Sequence, residues 1–252
     1  MIMKVLRGGI PLMMITTAAL LSSCGSDGKG VADRTGSTQA IDTASLAPGA
    51  PATPATGAPA VDTVASQPVV THRATISTTL GDMEVDLYGV DAPKTVKNFV
   101  GLADKKFYDG LAFHRVALGF VIQAGDPYSR DSTKRDLWGT GGESIYGGPF
   151  EDELNPNSPS GRRGYVTGTL AMANSGPNTN SSQFYIVLDT KGASHLPYNY
   201  TIFGFVRKGM DVAHKIEQTG QSAEKPVHPA FIKKVTVKEL PAGTVADSST
   251  HN

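Results

Sequence analysis

Cysteine is almost missing from this chain: one residue in 252, so no intramolecular disulfide can form. An excess of charge is missing too. The 23 basic residues face 23 acidic ones, which leaves no basic field to attract nucleic acid. The histidines, His72, His114, His195, His214, His228 and His251, include no close pair at metal-ligand spacing, so no metal site and no cofactor is expected. Long apolar runs are also lacking. The stretch Ile10 to Leu21 holds about a dozen residues, too few to span a bilayer comfortably.

That stretch is nevertheless informative. Lys4 and Arg7 precede it, and Leu21-Ser22-Ser23-Cys24 closes it, the order expected of an export signal. The tetrapeptide resembles a bacterial lipoprotein signal. The resemblance implies that residues 1–23 are removed and that Cys24 is lipidated as the first mature residue. An ordinary secretory signal is the alternative, and the position of the only cysteine favours the lipoprotein. Two acyl chains would hold the protein stably on a membrane, where one would not. Loss of Lys4 and Arg7 leaves 21 basic and 23 acidic residues, a formal charge of −2. The expected location is the cell envelope, lipid-anchored on the periplasmic side or at the outer membrane.

Residues 24–71 are rich in Ala, Pro, Thr, Ser and Gly, as in Ala47-Pro48-Gly49-Ala50-Pro51. Such a segment cannot bury enough apolar surface to offset its ordering entropy. It reads as a flexible tether whose ends lie about 35–40 Å apart. Residues 72–240 have the size of one domain, and 241–252 read as a frayed tail.

Within the domain, Arg73 to Thr78 is a strand candidate, and Met83, Val85 and Leu87 alternate with polar residues as a second strand. Asp91 is the expected N-cap of a helix with Pro93 in its first turn, Val96, Phe99, Val100 and Ala103 facing inward, and Lys105-Lys106 at its end. Phe113 to Asp126 contains two short apolar strands around a bend at Leu118-Gly119. Tyr165 to Ala171, Gln183 to Leu188, Tyr200 to Val206 and Phe231 to Leu240 are further strands, and Met210 to Thr219 is a second helix. The count, about eight strands and two helices, favours a mainly β closed sheet or barrel capped by helices. The glycine-rich region after Asp126 is no phosphate loop, because it lacks the Gly-Lys-Ser/Thr ending.

Arg115 is the odd residue of its run. It is either a solvent-facing strand residue or a fork of donors held for a purpose. A second stretch bears on this: in Ala171-Met172-Ala173-Asn174-Ser175-Gly176-Pro177-Asn178-Thr179-Asn180-Ser181-Ser182-Gln183-Phe184-Tyr185, amides and hydroxyls separate two apolar strands. Together with Phe113-His114-Arg115, Gly139-Thr140-Gly141-Gly142-Glu143, Phe150-Glu151-Asp152-Glu153 and Phe203-Gly204, it resembles the cyclophilins, a family of peptidyl-prolyl cis–trans isomerases, over essentially all of residues 72–240. The resemblance implies an eight-stranded antiparallel closed β-barrel capped by two α-helices.

It also implies a site. Arg115 matches the catalytic arginine, with Gln123 helping to place it and Phe113 and His114 beside it. Phe120, Val121, Tyr185 and Leu196 match the walls of a proline pocket. Ala173, Asn174 and Ser175 match the edge that binds the peptide backbone, and Gln183 a second supporting amide. Gly139 matches a glycine beside a neighbouring pocket, and Tyr200 stands on the rim. His195 replaces the tryptophan of cyclosporin-sensitive members, so weak inhibition by that drug is expected. Proline-containing polypeptides are the implied partners, and a monomer is the default state.

Two other readings compete. A proline-peptide binding module would need no transition-state donor, so Arg115 argues against it. A hydrolase built from His114, Ser182 and Asp126 lacks a nucleophile elbow. Arg130, Lys134 and Arg135, in the loop Pro127 to Trp138, read as solvated charge, and His114 as structural.

Overall fold

A computed structural model describes residues 67–220 and 224–247. The export signal, Cys24 and the tether up to residue 66 lie outside the described residues. Alternation of apolar and polar residues dictates the first hairpin, in which β1 (His72–Thr78) and β2 (Gly81–Leu87) pair antiparallel from His72↔Leu87 to Thr78↔Gly81. The pairing turns Ala74, Ile76, Met83 and Val85 into a fully buried face.

Helix α1 (Pro93–Asp104) buries Val96, Phe99, Leu102 and Ala103. Asp91 does not cap it. Its carboxylate accepts from the Ser160 N–H at 2.8 Å, and Ala92 occupies the N-cap without a side-chain bond. The free N–H groups of Lys94 and Thr95 are taken instead by the carboxylate of Glu153, each at 2.9 Å. An anion from 58 residues away thus does the work expected of a local cap. The helix also stops at Asp104, before the two lysines, and Lys106 adopts a left-handed φ of 57°.

The chain continues through β3 (Arg115–Ala117), β4 (Val121–Ala124), α2 (Pro159–Arg163), β5 (Thr169–Met172), β6 (Phe184–Val187), α3 (Thr190–Ala193), β7 (Ile202–Lys208), α4 (Met210–Glu217) and β8 (Ile232–Glu239). The eight strands form one antiparallel sheet in the order β3-β4-β6-β5-β7-β2-β1-β8. Strand pairing alone does not complete the expected closed barrel. The end strands β3 and β8 do not pair. A lone Ala112↔Phe231 bridge spans them, with Gly110 N–H donating to the Ile232 carbonyl at 2.7 Å and Phe113 N–H to Ala230 at 2.9 Å. Of the helices, α1 and α4 are the two expected, while α2 and α3 are single turns of 5 and 4 residues.

Two boundaries move. Tyr165 to Gly168 is not strand, because Gly164 and Gly168, with φ of 70° and 91°, turn the chain before β5 begins. The tail and the end of the tether are ordered against each other. Val69 bridges Val245, Val70 N–H donates to Thr244 at 2.8 Å, and Ala246 N–H to Pro68 at 3.0 Å. Val70 and Ala246 bury themselves with Tyr88 and Phe205, which is why neither segment frays there.

The main core lies on one face of the sheet, where Phe99 meets Tyr108, Phe184 and Phe203 with ring centroids 5.0, 5.7 and 5.6 Å apart. The other face of β4, β5 and β6 carries a second, smaller cluster. That second face is where the polar residues of interest gather.

Candidate active site

Register builds the site. β3 places Arg115 opposite Gln123, β4 places Gln123 opposite Tyr185, and β6 places Tyr185 opposite Ala171. Directly paired residues point to the same face, so these four form one row across four strands. The alternate residues, Val116, Ile122, Phe184, Ile186 and Leu170, all enter the main core. A slip of one residue would therefore exchange the arginine for core apolars, and burial on one face forbids it.

At the end of this row is a cleft of about 250 Å³ lined by Arg115, Phe120, Val121, Gln123, Ala173, Asn174, Tyr185, His195, Leu196 and Tyr200. Turn α3 supplies one wall. Gly192 sits so close to the Gly119 carbonyl that an added Cβ would lie 1.8 Å from it. This approach, together with the Leu188 N–H to Phe120 carbonyl bond of 2.8 Å, brings His195 and Leu196 over Phe120. The His195 and Phe120 rings are 5.1 Å apart.

The guanidinium of Arg115 is held on two edges. Its Nη1 donates to Gln123 Oε1 at 3.3 Å, and its Nε donates to Glu224 Oε2 at 2.7 Å. It also lies 5.8 Å from the Phe120 ring centroid. Behind Gln123 runs a chain of amides: its Nε2 donates to Gln183 Oε1 at 2.8 Å, and Gln183 Nε2 donates to the carbonyls of Gly139 and Gly141 at 3.1 and 2.6 Å. The amide orientations of both glutamines are thereby set by backbone, and the second glutamine is buried. Gly139 needs its freedom here, with φ of 93°, and its N–H is anchored by buried Asp126.

A larger neighbouring cleft of about 570 Å³ is lined by Gln123, Gly139 to Gly142, Ala173, Asn174, Ser175 and Gln183. The two clefts meet at Gln123, Ala173 and Asn174. Among the described residues the backbone N–H and C=O of Asn174 make no hydrogen bond, while its side chain donates to Asn199 at 2.9 Å. An open backbone edge thus lies where the two clefts meet.

Most of the residues singled out from sequence converge here. Phe113 does not. It is wholly buried in the main core and lines neither cleft, because its position on the approach to β3 points inward. His114 is buried too, and burial pushes its imidazole down to about 4, against the opposing charge of Asp126. The hydrolase arrangement is not assembled. Ser182 Oγ donates to the Gly125 carbonyl at 2.6 Å, and the Asp126 carboxylate accepts from the N–H groups of Tyr128 and Gly139. Arg130 and Arg135 are not merely solvated. Arg130 donates to the carbonyls of Phe107 and Asp109 at 2.6 and 3.1 Å, and Arg135 donates to Pro226 and Val227 while stacked 4.6 Å over Trp138. Lys134 pairs with Asp131 at 3.6 Å. Glu224 was missed from sequence. It stands 109 residues from Arg115 in a polar turn, with no motif to mark it.

Fold and site together define a β-sheet protein with a cleft of about 250 Å³, walled in part by Phe120, Val121, Tyr185 and Leu196, beside a guanidinium held on two edges. Residues 73–237 match the family described as cyclophilin type peptidyl-prolyl cis-trans isomerase/CLD, and the chain belongs to that family. It is 42% identical over 165 residues to peptidyl-prolyl cis-trans isomerase 9 of Schizosaccharomyces pombe, covering 65% of this chain and 25% of that protein. It is 40% identical over 163 residues to peptidyl-prolyl cis-trans isomerase-like 1 of Aspergillus niger, covering 64% of this chain and 92% of that one. Several curated relatives, the first among them, are thus much longer than the shared domain. Among solved structures, a cyclophilin type peptidyl-prolyl cis-trans isomerase of Cryptosporidium parvum is 34% identical, with a TM-score of 0.57 over 68% of this chain and 99% of that chain. The same protein has been crystallised in the presence of the dipeptide Ala-Pro.

Proposed function

We propose that this protein accelerates rotation about X–Pro bonds of extended polypeptides, with Arg115 as the catalytic residue and Gln123 as the residue that aims it. Rotation breaks amide resonance, a barrier of about 18–20 kcal/mol, without making or breaking a σ bond. At the perpendicular geometry the prolyl nitrogen becomes pyramidal and its lone pair accepts a hydrogen bond. Arginine is always charged and donates without gaining or losing a proton. The contact is stronger at the twisted midpoint than in the flat ground state, which is the condition for lowering a barrier. Phe120, Val121, Tyr185 and Leu196 would hold the proline ring, while Ala173, Asn174 and Ser175 hold the preceding backbone. His195 and Tyr200 form the rim, and Gly139 and Gln183 support the trough that receives residues before the proline.

The observation that carries this reading is the shared cleft: Arg115 faces the same 250 Å³ slot as Phe120, Tyr185 and Asn174. The test is a protease-coupled assay on a proline tetrapeptide. Arg115→Ala is expected to lower kcat/KM by about 10²–10³-fold, the order of loss when one preorganised transition-state donor is removed. Peptide affinity should fall far less. Equal losses in affinity and rate would instead favour a binding module.

The same proposal places the enzyme in the cell envelope, anchored through Cys24, where it would act on folding proteins. Support comes from the order Lys4, Arg7, apolar run, Leu21-Ser22-Ser23-Cys24. Fatty-acid labelling of the chain, lost in Cys24→Ala, is the expected result; labelling that persists would sink the anchor. Cyclosporin is expected to inhibit weakly, since the imidazole of His195 offers less area than an indole.

A further inference from the structure

Within the isomerase reading, on which this step rests, we propose that Glu224 is a positioning residue for Arg115. The two are joined by the 2.7 Å bond from Nε to Oε2, and Val116 N–H donates to the Glu224 carbonyl at 2.8 Å. Glu224 therefore grips β3 through backbone and side chain at adjacent residues. Its own backbone sits at φ 57°, a conformation that favours glycine or asparagine. A glutamate kept there implies that surrounding contacts hold it in place.

Those contacts are visible. The next turn is pinned by the Arg135 guanidinium, which donates to the carbonyls of Pro226 and Val227 and is itself stacked on Trp138. Trp138 Nε1 in turn donates to the Asp131 carbonyl at 3.1 Å. Loop 127–138 thus braces the turn that carries Glu224, and Glu224 holds the arginine. A third cleft, of about 200 Å³, is lined by Arg115, Gln123, Trp138 and Glu224 together with His114, Gly139 and Lys225, so the arginine, its two holds and the tryptophan of the brace share one cavity.

Geometry explains why two holds are needed. Gln123 takes Nη1 and Glu224 takes Nε, so among the described residues only Nη2 is without a partner. A planar guanidinium fixed at two edges presents its third in one direction. The side chains of Arg115 and Glu224 are 36% and 46% exposed, so the pair contributes little to folding and its effect falls on aim.

The test uses the full chain and a cycle of Glu224→Gln with Arg115→Ala. Glu224→Gln is expected to lower kcat about tenfold with KM unchanged, because misaiming a catalytic group is expensive even when binding survives. Glu224→Asp should recover part of the rate. On the Arg115→Ala background, Glu224→Gln should cost nothing more, as two residues acting through one contact require. Equal loss in both backgrounds would make Glu224 merely structural, and an unchanged or faster Glu224→Gln enzyme would make it irrelevant or a brake; each overturns the proposal. If Glu224→Gln does not fold, Glu224→Asp decides: with its shorter carboxylate it should lose part of kcat at unchanged KM, and a Glu224→Asp enzyme as fast as the natural chain overturns the proposal. A natural chain no faster than the uncatalysed rate would instead overturn the isomerase reading itself.

Discussion

The two faces of strands β4, β5 and β6 are made by the same backbone and obey opposite rules. Inward, Ile122, Phe184, Ile186, Leu170 and Met172 pack with the phenylalanines of the main core. Outward, Val121, Gln123, Tyr185 and Ala171 meet a cluster rich in tyrosine, with Tyr165, Tyr198 and Tyr200 at its edge. One face is closed by area, the other by directed bonds such as Tyr165 Oη to the Tyr200 carbonyl at 2.8 Å. The difference teaches that core packing and the proposed site are kept apart to within one residue along a strand.

The largest way to break that separation is Phe184→Ala. It should cost about 3–5 kcal/mol in urea unfolding, since a ring in a packed core leaves a cavity. Phe120→Ala, at the half-buried slot, should cost much less stability and lower kcat/KM instead. Reversed outcomes would show that the faces are not distinct.

His114 tests the boundary between them by pH. Its value falls from 6.5 in the unfolded chain to about 4 in the fold. Stability from the neutral imidazole is complete above pH 6.5 and is lost as pH falls toward 4, because the unfolded chain takes up the proton first. The loss amounts to about 3 kcal/mol over that window. Unfolding of His114→Gln should be flatter between pH 6.5 and 4 than that of the natural chain, and parallel curves would refute the assignment.

Gln183→Leu cuts the amide chain that runs from Gly139 and Gly141 to Arg115. It should lower kcat/KM about tenfold by loosening the arginine, with Gln123→Leu and Gln183→Leu together little worse than either alone. Full additivity would mean the amides act separately. The smallest effect concerns Tyr185. Among the described residues its buried hydroxyl has no hydrogen-bond partner, and burial drives its pKa up, so Tyr185→Phe should leave activity intact and raise stability by about 1 kcal/mol. A destabilised Tyr185→Phe would reveal a partner for that hydroxyl.

Short-range signals were readable. Alternation found β1 and β2, helical spacing found α1 and α4, and Arg115 stood out within an apolar run. Phe113 was misplaced because a motif neighbour need not face the motif's cleft: strand phase would set it on the side of Arg115, but it lies before β3 begins and turns into the main core. Asp91 was the natural cap by local chemistry, yet Glu153 supplies a full charge to the same N–H groups from across the fold. Residues 241–247 pair where fraying was expected, and β3 and β8 meet through an isolated bridge where a closed ladder was expected, for one reason: partners distant in sequence decide whether a weak segment pairs.

The residues alone determined that this chain would build a mainly β domain with an arginine inside an apolar run, because period-two patterning and residue chemistry are local properties. Only the tertiary structure decided that Arg115, Gln123 and Tyr185 stand in one row, and that Glu224 and the Trp138 brace hold the first of them. Register and long-range hydrogen bonds set those outcomes, and both depend on which strands meet.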